Sequence, residues 1–175
     1  MEKALFFGDR SGAGISLANL AIVTNLQEEY AESGQYARQA LRVFRAIGNE
    51  EQQPFPLRMM AYAALHEGDL ERARALCLES LKGNYELGHT TGMLACLVTM
   101  ADIELANDHP AVTAKLCALV ESQLEANSLT LLEPDVKSLE YLQDAIKEQS
   151  KKKSIQDAQE QGTKITLAEA LAEYI

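Results

Sequence analysis

Apolar residues along this chain fall in stripes spaced by three and four positions, and the stripes return after a fixed interval. Leu17, Leu20 and Ala21 form one such set, and Leu57, Met60, Ala61 and then Leu97, Met100, Ala101 repeat it at a constant step. Positions three and four apart share one side of an α-helix, so each triplet predicts the inward stripe of one helix. A second series follows each triplet. Ser33, Ala73 and Thr113 are small, Tyr36, Leu76 and Leu116 are large, Ala37, Cys77 and Cys117 are small again, and Ala40, Ser80 and Val120 close the series. Large residues alternating with small ones suit helices that approach closely. The pattern predicts helices near 12–27, 29–47, 54–67, 69–87, 91–106 and 110–127.

The punctuation keeps the same interval. Gly8, Gly48 and Gly88 are separated by the step of the apolar columns and stand where a second helix should stop. On this pattern FFGDRSG at 6–12 reads as a helix end, which makes residues 1–7 the tail of an earlier helix. The expectation is a chain that starts inside a repeat. Between paired helices, HEGDLERA at 66–73 offers Gly68 as a stop and Asp69 as a cap, and ANDHPAVT at 106–113 offers Asp108 as a cap with Pro110 in the first helical turn. QEEYAES at 27–33 has no glycine, so its turn shows only by alignment with the other two. A period in this range is the mark of a repeat array.

The pattern weakens toward the C-terminus. A helix is expected from Pro134, with Val136, Leu139, Leu142 and Ile146 as its apolar set, followed by a solvated polar hinge over KEQSKKKS at 147–154. Thr166 and Glu169 then have the spacing of a capping box, ahead of Leu167, Ala168, Leu171 and Ile175.

Leu57, Met60 and Ala61, then GDLERA with Ala73, Cys77 and Ser80, resemble the tetratricopeptide repeat. The standard unit of that repeat is about 34 residues, and the excess here falls in a longer second helix and its exit. The resemblance implies an all-α, right-handed α-solenoid of helix-turn-helix repeats with a 40-residue period. Its parts would be a partial repeat over 1–8, units over 9–48, 49–88 and 89–128, and capping helices over 128–175, the repeats ending near 127. The C-terminal segment looks like the end of bacterial multidomain ATPase regulators of the STAND class, including LuxR-type transcription activators. That likeness implies a non-catalytic regulatory domain that binds a protein or peptide, or other domains of a larger parent. An alternative is an inducer-sensing domain that takes a small ligand inside the superhelix. In such arrays the first helices line a concave groove, and the matching positions are Asn25, Arg58, Tyr62, His66, Val98 and Asp102.

Composition narrows the partners. The formal charge is −10, which speaks against a nucleic-acid footprint on this chain, since phosphate binding needs clustered Lys and Arg. Cys77, Cys96 and Cys117 show neither paired-cysteine nor zinc-ligand spacing and read as small buried hydrophobes. No apolar run is long enough to span a bilayer, and MEKALFF lacks a signal-peptide cleavage site, so a cytoplasmic address is expected. GDRSGAG at 8–14 lacks the Lys-Ser/Thr ending of a phosphate loop and reads as an inter-repeat loop. His66, His89 and His109 fall at turns without metal-ligand spacing, acidic pairs such as Glu28–Glu29 and Glu50–Glu51 sit near helix starts, and Lys151–Lys153 reads as a hydrated basic run. No catalytic, cofactor or metal residue is expected. Ile15, Ile22, Val23 and Leu26 exceed what the inner stripe of the first helix requires, which predicts an apolar face there and a homodimer through the N-terminal hairpin.

Overall fold

In a computed structural model the described residues are 2–147 and 152–175, with residues 2–9 described by their backbone alone. They form nine α-helices and one 3₁₀ turn, with no strand among them. The helices are α1 Glu2–Leu26, α2 Tyr30–Ala46, α3 Pro54–His66, α4 Leu70–Leu87, α5 Thr90–Ala106, α6 Pro110–Asn127, α7 Glu133–Lys147, α8 Lys153–Lys164 and α9 Leu167–Leu171. The chain divides into two compact units, Met1–Gly88 and His89–Ile175.

Every hairpin turn is closed in the same way. Glu28, Gly68 and Asp108 take positive φ angles of 64°, 80° and 60°. The amide of each reaches back three residues, to the carbonyls of Asn25, Leu65 and Leu105, at 2.9–3.0 Å. The next amide, of Glu29, Asp69 or His109, reaches back five residues, to Thr24, Ala64 or Glu104, at 2.8–2.9 Å. This paired bond satisfies carbonyls that a helix end otherwise leaves open. Gly48, Gly88 and Ser128 mark the exits of α2, α4 and α6, again at positive φ, and Ser128 shows that glycine is not obligatory there.

Two sequence expectations change at these junctions. Asp108 is not a helix cap, because it holds the left-handed position that Gly68 holds in the preceding hairpin, and His109 stands at the N-cap of α6 instead. Aspartate tolerates this conformation better than most residues. The expected stop at Gly8 and loop over 8–14 are absent, since α1 runs unbroken from Glu2 through Gly8, Gly12 and Gly14 to Leu26. A glycine ends a helix only by turning left-handed, and no proline follows to force it. Gly14 is used for contact instead, since a Cβ there would lie 2.6 Å from Phe44 Cε1.

In the N-terminal unit α1 packs on α2, α2 on α3 and α3 on α4, with α3 also touching α1. Surrounded in this way, α3 is apolar almost all round, and Leu57, Met59, Ala61, Tyr62, Ala63 and Ala64 are all buried. Met59 joins Ala21, Ala37 and Tyr62 in one core cluster, and Phe44 joins Ala18 and Ala40 in another. The small positions Ser33, Ala73, Ala37, Cys77, Ala40 and Ser80 are buried as their spacing requires, whereas Leu20 is exposed. Ser33 Oγ donates to the Ala21 carbonyl at 2.7 Å and Ser80 Oγ to the Pro54 carbonyl at 2.7 Å, so each paired helix is tied to its neighbour by a hydroxyl.

In the C-terminal unit α5 and α6 form the hairpin, α7 lies against both, and α8 returns along α6. Thr113 Oγ1 donates to the Ala101 carbonyl at 3.2 Å. Helix α7 begins at Glu133 and buries Leu139, Leu142 and Ile146. The expected hinge over 147–154 falls partly on residues 148–151, outside the described residues, and so does Lys151 of the basic run; Lys147 ends α7 and Lys153 opens α8. Helix α8 has no counterpart among the helices that the periodicity predicts. It buries Ile155, Ala158 and Gly162, and the backbone at Gly162 lies directly on α6, where a Cβ would stand 2.2 Å from the Lys115 carbonyl oxygen and 2.9 Å from Ala118 Cβ. The Thr166 capping box is formed, with Glu169 N donating to Thr166 Oγ1 at 3.2 Å and Thr166 N donating to Glu169 Oε2 at 2.7 Å. That second bond draws the Glu169 carboxyl below its ordinary range. Gly162→Ala should lower stability by about 1–3 kcal/mol in urea unfolding, because backbone must move to admit the methyl. An unchanged or raised midpoint, as in an exposed helix where alanine is favoured, would show that α8 does not pack this closely.

Candidate functional site

A cleft of about 140 Å³ opens in the N-terminal unit where α2, α3 and the start of α4 meet. From α2 it is lined by Ala31, Gly34, Gln35 and Arg38, from α3 by Met60 and Ala63, and from the following turn and α4 by Glu67 and Arg72. In its wall α2 comes into close contact with α3 at Gly34. A Cβ there would lie 2.6 Å from Ala63 Cβ, so Gly34 lets the two helices approach and leaves bare backbone in the wall.

Two guanidinium groups face this space in different states. Arg72 is held by its surroundings, since its backbone N–H donates to Asp69 Oδ1 at 3.1 Å, capping α4, and its Nη1 lies 3.3 Å from Glu67 Oε2. Both members of that ion pair are well exposed, so it holds only weakly. Arg38 is exposed and makes no hydrogen bond or ion pair among the described residues. One turn further along α2, Arg42 is likewise exposed, and Arg45 reaches Glu79 of α4 at 2.7 Å.

Beside the cleft, Tyr30 and His66 stack with ring centroids 3.4 Å apart and an interplanar angle of 5°. Loss of water from the imidazole pushes His66 below its ordinary value near 6.5, partly offset by the Glu28 carboxylate. Proton uptake is therefore disfavoured in the folded state.

The residues expected to line a groove fall elsewhere. Asn25, Arg58, Tyr62 and Val98 are buried, and Asp102 is half-buried and accepts a hydrogen bond from Ser138. Of the six, His66 is the most exposed, although its stacked ring is partly shielded from water. The Arg58 guanidinium carbon lies 5.6 Å from the centroid of the Phe55 ring, a packing role for a side chain expected to point outward. The Asn25 amide nitrogen is buried without a hydrogen-bond partner. In the C-terminal unit, His109 Nδ1 meets the buried Glu104 carboxylate at 2.8 Å and closes the α5–α6 turn. All three cysteines are buried, and burial together with Asp102 and Glu121 pushes the Cys117 thiol up to about 12, so it stays protonated. Among the described residues no group of three His, Cys, Asp or Glu side chains is arranged to hold a metal ion.

The cleft lies outside the groove that the repeat pattern implies. Its signal in the sequence is the spacing of Arg38, Arg42 and Arg45, which puts three guanidinium groups along one side of a single helix. Comparison with known proteins finds no matching family model, no matching curated protein and no matching solved structure.

The His66 shift gives a pH signature. A depressed imidazole pKa adds stability above about 6.5 that is lost as the pH falls through the folded-state value. His66→Phe keeps an aromatic ring against Tyr30 and removes the titration. Relative to this variant, the wild-type melting temperature should fall between pH 7.5 and 5. A constant difference across that range would show that the ring titrates as it does in water.

Proposed function

We propose that the chain is a non-catalytic protein-binding module built as a right-handed array of tetratricopeptide-like helical pairs. The observation that carries this reading is the recurrence of one exit geometry, a left-handed residue whose amide bonds back three residues, at 28, 68 and 108 and again at 48, 88 and 128. Within each set the spacing is constant, so the backbone turns at the same interval as the apolar columns. Arrays of stacked hairpins present extended surfaces and serve chiefly to hold other proteins. A regulatory role inside a larger ATPase or transcription regulator rests on the resemblance of the C-terminal segment alone.

The cleft favours a peptide over an inducer. Pockets for small organic ligands are mostly apolar and hold about 300–1,000 Å³. At about 140 Å³ and with four polar or charged side chains in its wall, this cleft is the size of a side chain. Among the described residues no helix is long and apolar enough to cross a membrane. The reading is tested by selecting binders from a displayed random-peptide library alongside a thermal-shift screen of metabolites. Enrichment of related peptides with no metabolite shift is expected. A saturable metabolite shift without peptide enrichment would favour the inducer-sensing alternative.

A second reading, self-association, is favoured by α1. Ile15, Leu20 and Val23 are 45%, 43% and 49% exposed and share its outward side, while Ile22 and Leu26, expected to belong to this surface, are half-buried. An apolar strip of this kind promotes association. Light scattering at about 100 micromolar, where a micromolar interface is mostly occupied, should report a dimer that Leu20→Glu with Val23→Glu converts to monomer. A wild-type monomer at that concentration would remove this reading.

A further inference from the structure

All the arginines of the chain, at 10, 38, 42, 45, 58, 72 and 74, lie in the N-terminal unit, and residues 89–175 contain lysine as their only permanent cation. Arginine matches a carboxylate with a planar fork of donors, which lysine cannot do. Two of these arginines line the α2–α3–α4 cleft, and Arg42 continues their row along the exposed side of α2. We propose that this surface receives an acidic peptide segment, one carboxylate entering the cleft at Arg38 and Arg72 and a second lying on Arg42. The proposal rests on the protein-binding reading and names the partner's chemistry.

Three observations carry it. The first is that a carboxylate already occupies Arg72: Glu67 Oε2 sits 3.3 Å from its Nη1 while both side chains remain open to water. An exposed pair of this kind is held weakly and can exchange for an incoming carboxylate. The second is that Arg38 has no partner of its own among the described residues, although carboxylates abound in a chain of net charge −10. The third is size. A water needs about 10–15 Å³ of such space, so about 140 Å³ has room for the few heavy atoms of an Asp or Glu side chain and not for a nucleotide. Gln35 adds a neutral amide that can donate to the same oxygens.

The spacing of the row specifies the segment. Arg38 and Arg42 are four residues apart on one helix, a rise of about 6 Å. Alternate residues of an extended peptide lie about 6.6 Å apart on one side. An extended Glu-x-Glu segment running along α2 therefore presents its two carboxylates in step with the two guanidinium groups, whereas adjacent glutamates point to opposite sides.

The test uses the full chain and a fluorescein-labelled, C-terminally amidated peptide, Ser-Gly-Glu-Ser-Glu-Gly-Ser, followed by fluorescence anisotropy at low salt. Submillimolar binding is expected, weakened about tenfold by Arg38→Ala and several-fold by moving the two glutamates together. Glu67→Gln removes the resident competitor and should tighten binding. Circular dichroism melts of the variants confirm folding, since both positions are exposed. Absence of wild-type binding, insensitivity to Arg38→Ala, unchanged or weaker binding by Glu67→Gln, or displacement by inorganic phosphate as effective as by unlabelled peptide would each overturn the proposal. If the displayed library instead yields neutral or basic peptides, the acidic ligand is wrong while the protein-binding reading stands.

Discussion

Each hairpin here reverses within three residues by taking one of them through positive φ, and the place of that residue fixes where the next helix starts and what it meets. Here the left-handed residue is Glu28, Gly68 or Asp108, and the next helix begins two residues later. Five residues beyond Glu28 and Asp108 stand Ser33 and Thr113, whose hydroxyls bond the carbonyls of Ala21 and Ala101, seven residues before the turn. The middle hairpin has Ala73 in the same place, fully buried and without a hydroxyl. The common requirement is therefore a small side chain where the two helices come closest, and the hydroxyl bond is added where serine or threonine meets it. Left-handed backbone costs a non-glycine residue roughly 1–2 kcal/mol, so Glu28 and Asp108 persist because the surrounding bonds hold them there.

That constraint also governs how much of the fold is legible in the chain. A geometry repeated three times leaves columns, and the columns of small residues at 33, 73, 113 and at 37, 77, 117 are all buried. Large residues in the same series are less regular: Tyr36 and Leu76 are half-buried while Leu116 is buried, because a long side chain can lean out where a short one cannot. Glycine marks an exit only when it is present, so Gly48, Gly68 and Gly88 are legible and Glu28 and Ser128 are not. The converse error lies in α1, where glycines at 8, 12 and 14 look like a loop yet stay helical. Helix α8 escapes the pattern because its inward set, Ile155, Ala158 and Gly162, is mostly small and its remaining residues are polar.

The candidate site is harder to see for a different reason. Assigning groove residues by repeat position requires α3 to have an open side, but α3 touches α1, α2 and α4, which leaves Arg58 and Tyr62 inside. The cleft that is open is walled in part by Gly34, whose backbone packs closely on another small residue, Ala63. Sequence shows a glycine within a helix at that point and gives no hint of what faces it. Arg38 and Arg72 belong to different hairpins and share a cavity wall only after three helices have folded together.

Net charge and local charge then act over different distances. The charge of −10 is felt by an approaching polyanion before contact, although at physiological salt its reach is limited to about 8 Å. Inside that distance the relevant groups are those at the surface being touched, and along α2 these are Arg38, Arg42 and Arg45, the last already neutralised by Glu79. A short acidic peptide can lie wholly within the basic row. A chain of net charge −10 can therefore still present a locally basic row to a partner as short as the proposed acidic peptide.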